Sequence, residues 1–281
     1  MKILFLFISI ILCSISYPQV RWDLSDTTTL AYGVLQGKTI VTALCERESM
    51  STTATGEDIW RGNELTPAPT SHTEIPIPAT AGEQMTIVSE SGNDDGDPVG
   101  TGVRTLRIEY IQAVTGLAKT EDIIMNGTTE VDTVATDVMF VNDMYSLTVG
   151  SNTVAAGHIK IYKKGTVGLV YNMITLGGNK SLVSNRMVPS GKKLILKGWH
   201  GEEAQAKRVN LRIRSTNIGT TVLIPPVFLF KGVAYLKQTA SGELKLNTLI
   251  PALSIVKISG WADQAGAEVG CGWWGVLITD Q

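Results

Sequence analysis

Arg208-Val209-Asn210-Leu211-Arg212-Ile213-Arg214 alternates polar and apolar side chains without a break. A period of two puts Val209, Leu211 and Ile213 on one face and Arg208, Asn210, Arg212 and Arg214 on the other. That is the pattern of an antiparallel strand with one solvated face. Residues 103–112 repeat it, with Leu106, Ile108 and Tyr110 on one side and Arg107 and Glu109 on the other. Working outward, short apolar runs bounded by turn residues predict further strands at 84–89, 121–125, 131–134, 137–141, 146–149 and 158–162. The C-terminal half adds 167–174, 181–188, 193–199, 207–214, 221–230, 234–237, 249–259 and 268–278. Asn126-Gly127 is a hairpin signal. Around residues 30–45 a short helix and a strand fit equally. Four prolines, Pro67, Pro69, Pro76 and Pro78, exclude a long helix from residues 51–81 and predict an extended, edge-running segment. The expected fold is all-β, with two antiparallel β-sandwich or jelly-roll-like domains in tandem.

The chain has 281 residues, 43% of them hydrophobic, with 28 glycines and only 18% charged side chains, so it can fill real cores. Its net charge of −2 argues against a general nucleic-acid binder. That total hides a split. Residues 1–150 carry 8 basic and 20 acidic side chains, and residues 151–281 carry 16 basic and 6 acidic ones, giving −12 and +10. The expected organisation is an apolar leader or anchor at 1–16, an acidic β-domain at 17–163 and a basic β-sandwich domain at 164–281.

Met1-Lys2 precedes an apolar run from Ile3 to Ile15, which fits a secretory signal cleaved after Ser16. The run is short for a transmembrane helix, which needs about 20 apolar residues, so no stable membrane insertion is expected. Three cysteines, Cys13, Cys45 and Cys271, are too few for a disulfide framework. A Cys45–Cys271 bridge is compatible with the sequence, which does not require it.

Little in the sequence points to chemistry. His72, His158 and His200 lie far apart and lack metal-ligand spacing, and His200 reads as a turn residue. Asn93-Asp94-Asp95-Gly96-Asp97 gathers oxygens, but Gly102 stands where a calcium loop needs a glutamate, so a tight turn is the expectation. Glu202-Glu203 and Glu121-Asp122 are adjacent on strands, where neighbours point to opposite faces and cannot act as an acid–base pair. Trp199, Trp261, Trp273 and Trp274 all fall in the basic half, and at most one of Trp273 and Trp274 faces the core. Arg208, Arg212 and Arg214 form a basic face with solvated strand residues as its simplest explanation. No catalytic, cofactor-binding or metal-ligating residue is expected, and no enzyme activity.

Several stretches share a resemblance. Leu35-Gln36-Gly37-Lys38-Thr39-Ile40-Val41 is followed by Thr55-Gly56-Glu57-Asp58-Ile59-Trp60-Arg61-Gly62. Gly100-Thr101-Gly102-Val103-Arg104-Thr105-Leu106-Arg107-Ile108 follows an acidic turn, and Met125-Asn126-Gly127-Thr128-Thr129 comes after it. Val188-Pro189-Ser190-Gly191-Lys192-Lys193 then precedes the Arg208–Arg214 strand. Together these resemble a family of virion structural proteins of tailed, mostly aquatic, phages. The resemblance implies a non-enzymatic, capsid-associated, neck or fibre subunit in the virion. Its partners are then further copies of itself and other virion proteins, with a host-surface glycan or receptor a further candidate and no specific nucleic acid. The leader and the tryptophans support an alternative, a secreted adhesin or carbohydrate-binding β-sandwich module.

Overall fold

A computed structural model of the chain describes residues 39–70, 72–216, 227–237 and 241–279. The apolar leader at 1–16, the first motif up to residue 38 and most of the strand expected at 221–230 lie outside the described residues. The described chain is all-β, and every strand pairing is antiparallel. In order the strands are β1 (Thr39–Arg47), β2 (Glu57–Asp58), β3 (Met85–Ser89), β4 (Val103–Gln112), β5 (Ala118–Ile124), β6 (Val131–Asp132), β7 (Val138–Val149) and β8 (Ile159–Lys163). They continue as β9 (Val170–Ile174), β10 (Arg186–Met187), β11 (Lys192–Glu203), β12 (Arg208–Ser215), β13 (Leu229–Lys237), β14 (Ser241–Ile250), β15 (Ile255–Ala262) and β16 (Val269–Thr279). One turn of 3-10 helix, Gly62–Glu64, is the exception.

Four sheets result. β6-β3-β8-β9 and β5-β4-β7 enclose one core, in which Met85, Ile87, Leu106, Ile108, Met144, Ile159 and Ile161 are fully buried. β1-β16-β11-β14 and β10-β15-β12-β13 enclose the other, around Leu196, Trp199, Leu211, Ile213, Ile258 and Trp273. Val209, Leu211 and Ile213 point into that core while Arg208, Asn210, Arg212 and Arg214 stay outside, as their alternation requires. A smaller cluster of Ile111, Met139, Phe140, Met187 and Ile255 draws on both pairs of sheets.

The sheets do not follow the two halves of the sequence. β1 and β2 pair with β16 and β15, far along the chain, and Cys45 in β1 is disulfide-bonded to Cys271 in β16 with Cα atoms 5.0 Å apart. Glu57 and Asp58, counted in the acidic half, therefore lie on a sheet of the basic half, where Asp58 meets Lys257 and Arg214.

Several strands depart from the sequence reading. Residues 137–141 and 146–149 form one strand, β7, with repeated register shifts against β4. Asn142 and Asp143 interrupt its apolar pattern because they serve the chain beside them: Asn142 exchanges hydrogen bonds with the backbone of Met187, and Asp143 pairs with Arg186. Residues 249–259 divide into β14 and β15 around Pro251. The region of residues 39–45 is strand, and β11 runs through His200 to Glu203. The proline-rich segment after β2 lies over the outside of the first core, where Trp60, Leu65 and Ile75 pack with Val88, Tyr162, Val170 and Met173.

Candidate functional site

Glu57 and Asp58 are consecutive carboxylates, and both are buried. β2 pairs with β15 so that Asp58 lies opposite Ser259 and Glu57 opposite Gly260. Glu57 Oε2 meets Arg47 Nη2 at 2.8 Å, and its Oε1 accepts from the Ser51 main chain. Arg47 also donates through Nη1 to the carbonyls of His72, Trp60 and Asp58 at 2.9, 3.2 and 3.4 Å. Asp58 receives Lys257 Nζ at 2.8 Å from Oδ1 and 3.0 Å from Oδ2, the second contact having hydrogen-bond geometry, and the main-chain N–H of Ile75 at 3.0 Å. Arg214 approaches to 3.8 Å. Burial pulls Arg47 below the ordinary arginine value against the attraction of Glu57 and Asp58, and it lowers Arg214 against Asp58 and Glu74.

The next residues divide between cores, Ile59 entering the second and Trp60 the cluster over the first. A Cβ at Gly62 would overlap the Trp60 ring. The Glu57-Asp58-Ile59-Trp60-x-Gly62 motif is thus a structural knot that fixes an N-terminal segment to strands formed 200 residues later.

Asp94 plays the corresponding part in the other half. Its buried carboxylate accepts from Ser89 Oγ (2.6 Å) and from the main-chain N–H groups of Val103 (2.7 Å), Ala156 (2.9 Å) and Gly157 (3.0 Å). Four donors occupy the lone pairs a calcium ion would need, while Asp95 caps the main chain of Asp97. A Cβ at Gly102 would strike Asp94 Oδ1, which is why glycine belongs in the Gly100-Thr101-Gly102 motif. Among the described residues no three His, Cys, Asp or Glu side chains converge on a metal-sized site.

The histidines stay apart. His72 serves through its carbonyl, which accepts from Arg47 and Trp60. His158 accepts the Leu176 N–H at Nδ1. His200 is in β11 opposite Gly272, with the Trp274 ring 6.4 Å away, and not in a turn, because the strand continues to Glu203, beyond the apolar run that ends at Trp199. Lys160, buried and lowered by desolvation, donates to the Thr66 carbonyl and so tethers the proline-rich segment.

Glu202 and Glu203 face opposite ways. Glu203 is buried and caps the N–H groups of Gln205 and Lys207, whereas Glu202 is exposed. With Leu44, Glu46, Glu48, His200 and Glu268, Glu202 lines a cleft of roughly 520 Å³ beside the disulfide. Arg61 crosses toward it, pairing with Glu46, Glu48 and Glu64.

Trp199 and Trp273 are buried, Trp273 donating to the Ser184 carbonyl at 2.9 Å; its neighbour Trp274 lies outside the core, as does Trp261. Trp261 belongs to a feature the sequence reading missed. The Arg212 guanidinium carbon lies 3.9 Å from the Trp261 ring centre and 4.7 Å from that of Phe230, and Lys257 lies 4.3 Å from that of Phe228. The basic alternation was visible in β12, but the aromatics come from β13, β15 and the chain before β13.

No family model matches the chain, and neither does any curated protein. Similar solved structures are of viruses. A structure of infectious bursal disease virus, Gx strain, is matched at 11% identity over 86% of this chain and 72% of that one, with a TM-score of 0.25. Particles of T=1 type derived from the same virus give 12%, 86%, 70% and 0.26. Empty top-component particles of cowpea mosaic virus give 8%, 71%, 82% and 0.18. The similarity to capsid structures is weak, and no residue role is transferred from it.

Proposed function

We propose that the chain is a non-enzymatic virion structural protein, a capsid-associated, neck or fibre subunit that assembles with further copies of itself and with other virion proteins. In this reading its paired sheets are two tandem sandwich or jelly-roll-like domains. The observation that carries it is where the motifs resembling phage structural proteins fall. Glu57–Gly62 is the knot between distant strands, and Gly100–Ile108 closes around the Asp94 carboxylate. The shared residues are therefore those that hold an architecture. A disulfide between distant strands supports a location outside the reducing cytoplasm, as in a virion.

Self-association is tested by light scattering on the purified chain across a salt series. A defined oligomer that dissociates as salt screens its contacts supports the proposal. A monomer at every salt concentration contradicts it. The alternative, a secreted carbohydrate-binding module, is favoured by the exposed aromatic and cationic face of β12, β13 and β15. N-terminal sequencing separates the two: a mature chain beginning at Tyr17 supports secretion, and an intact Met1 supports assembly into a particle.

A further inference from the structure

The outward face of β13, β12 and β15 is ordered in ranks across the strands. Lys237 stands opposite Arg208, Tyr235 opposite Asn210 and then Trp261, Val233 opposite Arg212 and then Ser259, and Phe230 opposite Arg214 and then Lys257. Cations directly opposite one another destabilise a sheet unless neutralised. Arg214 and Lys257 share the buried Asp58. For Arg208, Lys237 and Arg212 no carboxylate lies within ion-pair distance among the described residues, and Asp263 is used by the Arg208 main-chain N–H. One end of the face thus carries positive charge with no carboxylate partner among the described residues.

The geometry around Arg212 selects a kind of anion. Trp261 and Phe230 arrive from the strands on either side with ring centres 3.9 and 4.7 Å from the guanidinium carbon, and Arg212 Nε donates to Asn210 Oδ1. A flat, stacked guanidinium is a bidentate donor to a carboxylate, and its fixed orientation reduces the entropy lost on binding. Beside it Tyr235 is 78% exposed and Phe230 56% exposed. At strand spacing of about 4.8 Å the strip is roughly 10 Å wide and about 20 Å long, the size of a few sugar rings.

We propose that this face binds a carboxylate-bearing sugar chain, Arg212 holding the carboxylate and Tyr235 stacking against the adjoining ring. The inference concerns ligand binding and is independent of self-association. Single-stranded nucleic acid also stacks on aromatics, but it needs a cationic track along its backbone. Here Asp58 and, for Arg214, Glu74 offset the two cations of the far rank, and the whole chain is at −2.

The test is calorimetric titration of the full chain with tetragalacturonate, with its methyl ester, and with oligothymidylate. The expected result is binding of tetragalacturonate alone, weakened by salt. Arg212→Gln and Tyr235→Ala should each weaken it roughly tenfold or more, and Arg212→Lys should not restore it. Tyr235 is exposed, so Tyr235→Ala keeps the fold and remains decisive if the Arg212 variants melt early. No binding, equal binding of the ester, unchanged affinity in Tyr235→Ala, or preference for oligothymidylate would overturn the proposal.

Discussion

The two cores of the molecule are built by different means. The core around Ile87, Leu106 and Ile161 draws its strands from residues 85–174, a nearly continuous stretch, and one of the buried carboxylates beside it, Asp94, is served by four neutral donors. The core around Leu211, Trp199 and Trp273 has to recover β1 and β2 from the far end of the chain. It does so with a disulfide spanning 226 residues and with buried ion pairs. Closing long loops carries an entropic cost before contacts reward it, so the covalent and ionic links lie where the sequence separation is greatest.

This contrast can be broken from either side. The largest effect is expected from Cys271→Ser. Loop closure over 226 residues stabilises by about 5 kcal/mol in the chain-entropy account. Hydrogen exchange should show protection lost in β1, β11 and β16 and retained in β4 and β7; uniform loss in both cores would contradict the division. Next comes Asp58→Ala, which leaves Lys257 buried and Arg214 half-buried without their carboxylate and should cost about 3–5 kcal/mol in urea denaturation. Asp94→Ala should cost about 3 kcal/mol and move the effect to the first core, with added calcium giving no recovery of melting temperature.

The smallest effect concerns pH. Burial pushes the Glu83 carboxyl up, but hydrogen bonds from Lys163 (2.7 Å) and Tyr171 (2.6 Å) outweigh it and hold the group below its usual range. The unfolded chain then takes up this proton at higher pH than the folded one. The stabilisation is complete above the ordinary glutamate value of 4.5 and is lost as pH falls through the folded value. Glu83→Gln should cost about 1 kcal/mol at neutral pH, allowing for solvent screening at Lys163, and should flatten the acid limb of the stability profile. An unchanged limb would remove Glu83 from that account.

What the sequence disclosed follows the same contrast. Val103–Gln112 is legible to the residue, and Arg208–Ser215 to within one residue at each end, because one face of each strand is buried and the other solvated. β7 was hidden where Asn142 and Asp143 turn toward the backbone of Met187 and toward Arg186. The burial of Glu57-Asp58 is not legible, since nothing local reveals that Arg47 and Lys257 will enclose the pair. The −12 and +10 division suggests two separate fields, whereas β2 carries Asp58 of the first half in against Lys257 and Arg214 of the second. The Arg212 clamp was half visible: alternation in one strand gives its cations, but only the register across three strands brings Trp261 and Phe230 to them.

The central claim, that this is a virion structural subunit, is tested most directly by quantitative mass spectrometry of particles purified from the source of the sequence. The account predicts the chain in a fixed copy number per particle, with Cys45 and Cys271 recovered as one linked peptide. Its absence from intact particles, with the chain found free in the medium, would contradict the account and leave the secreted sugar-binding module in its place.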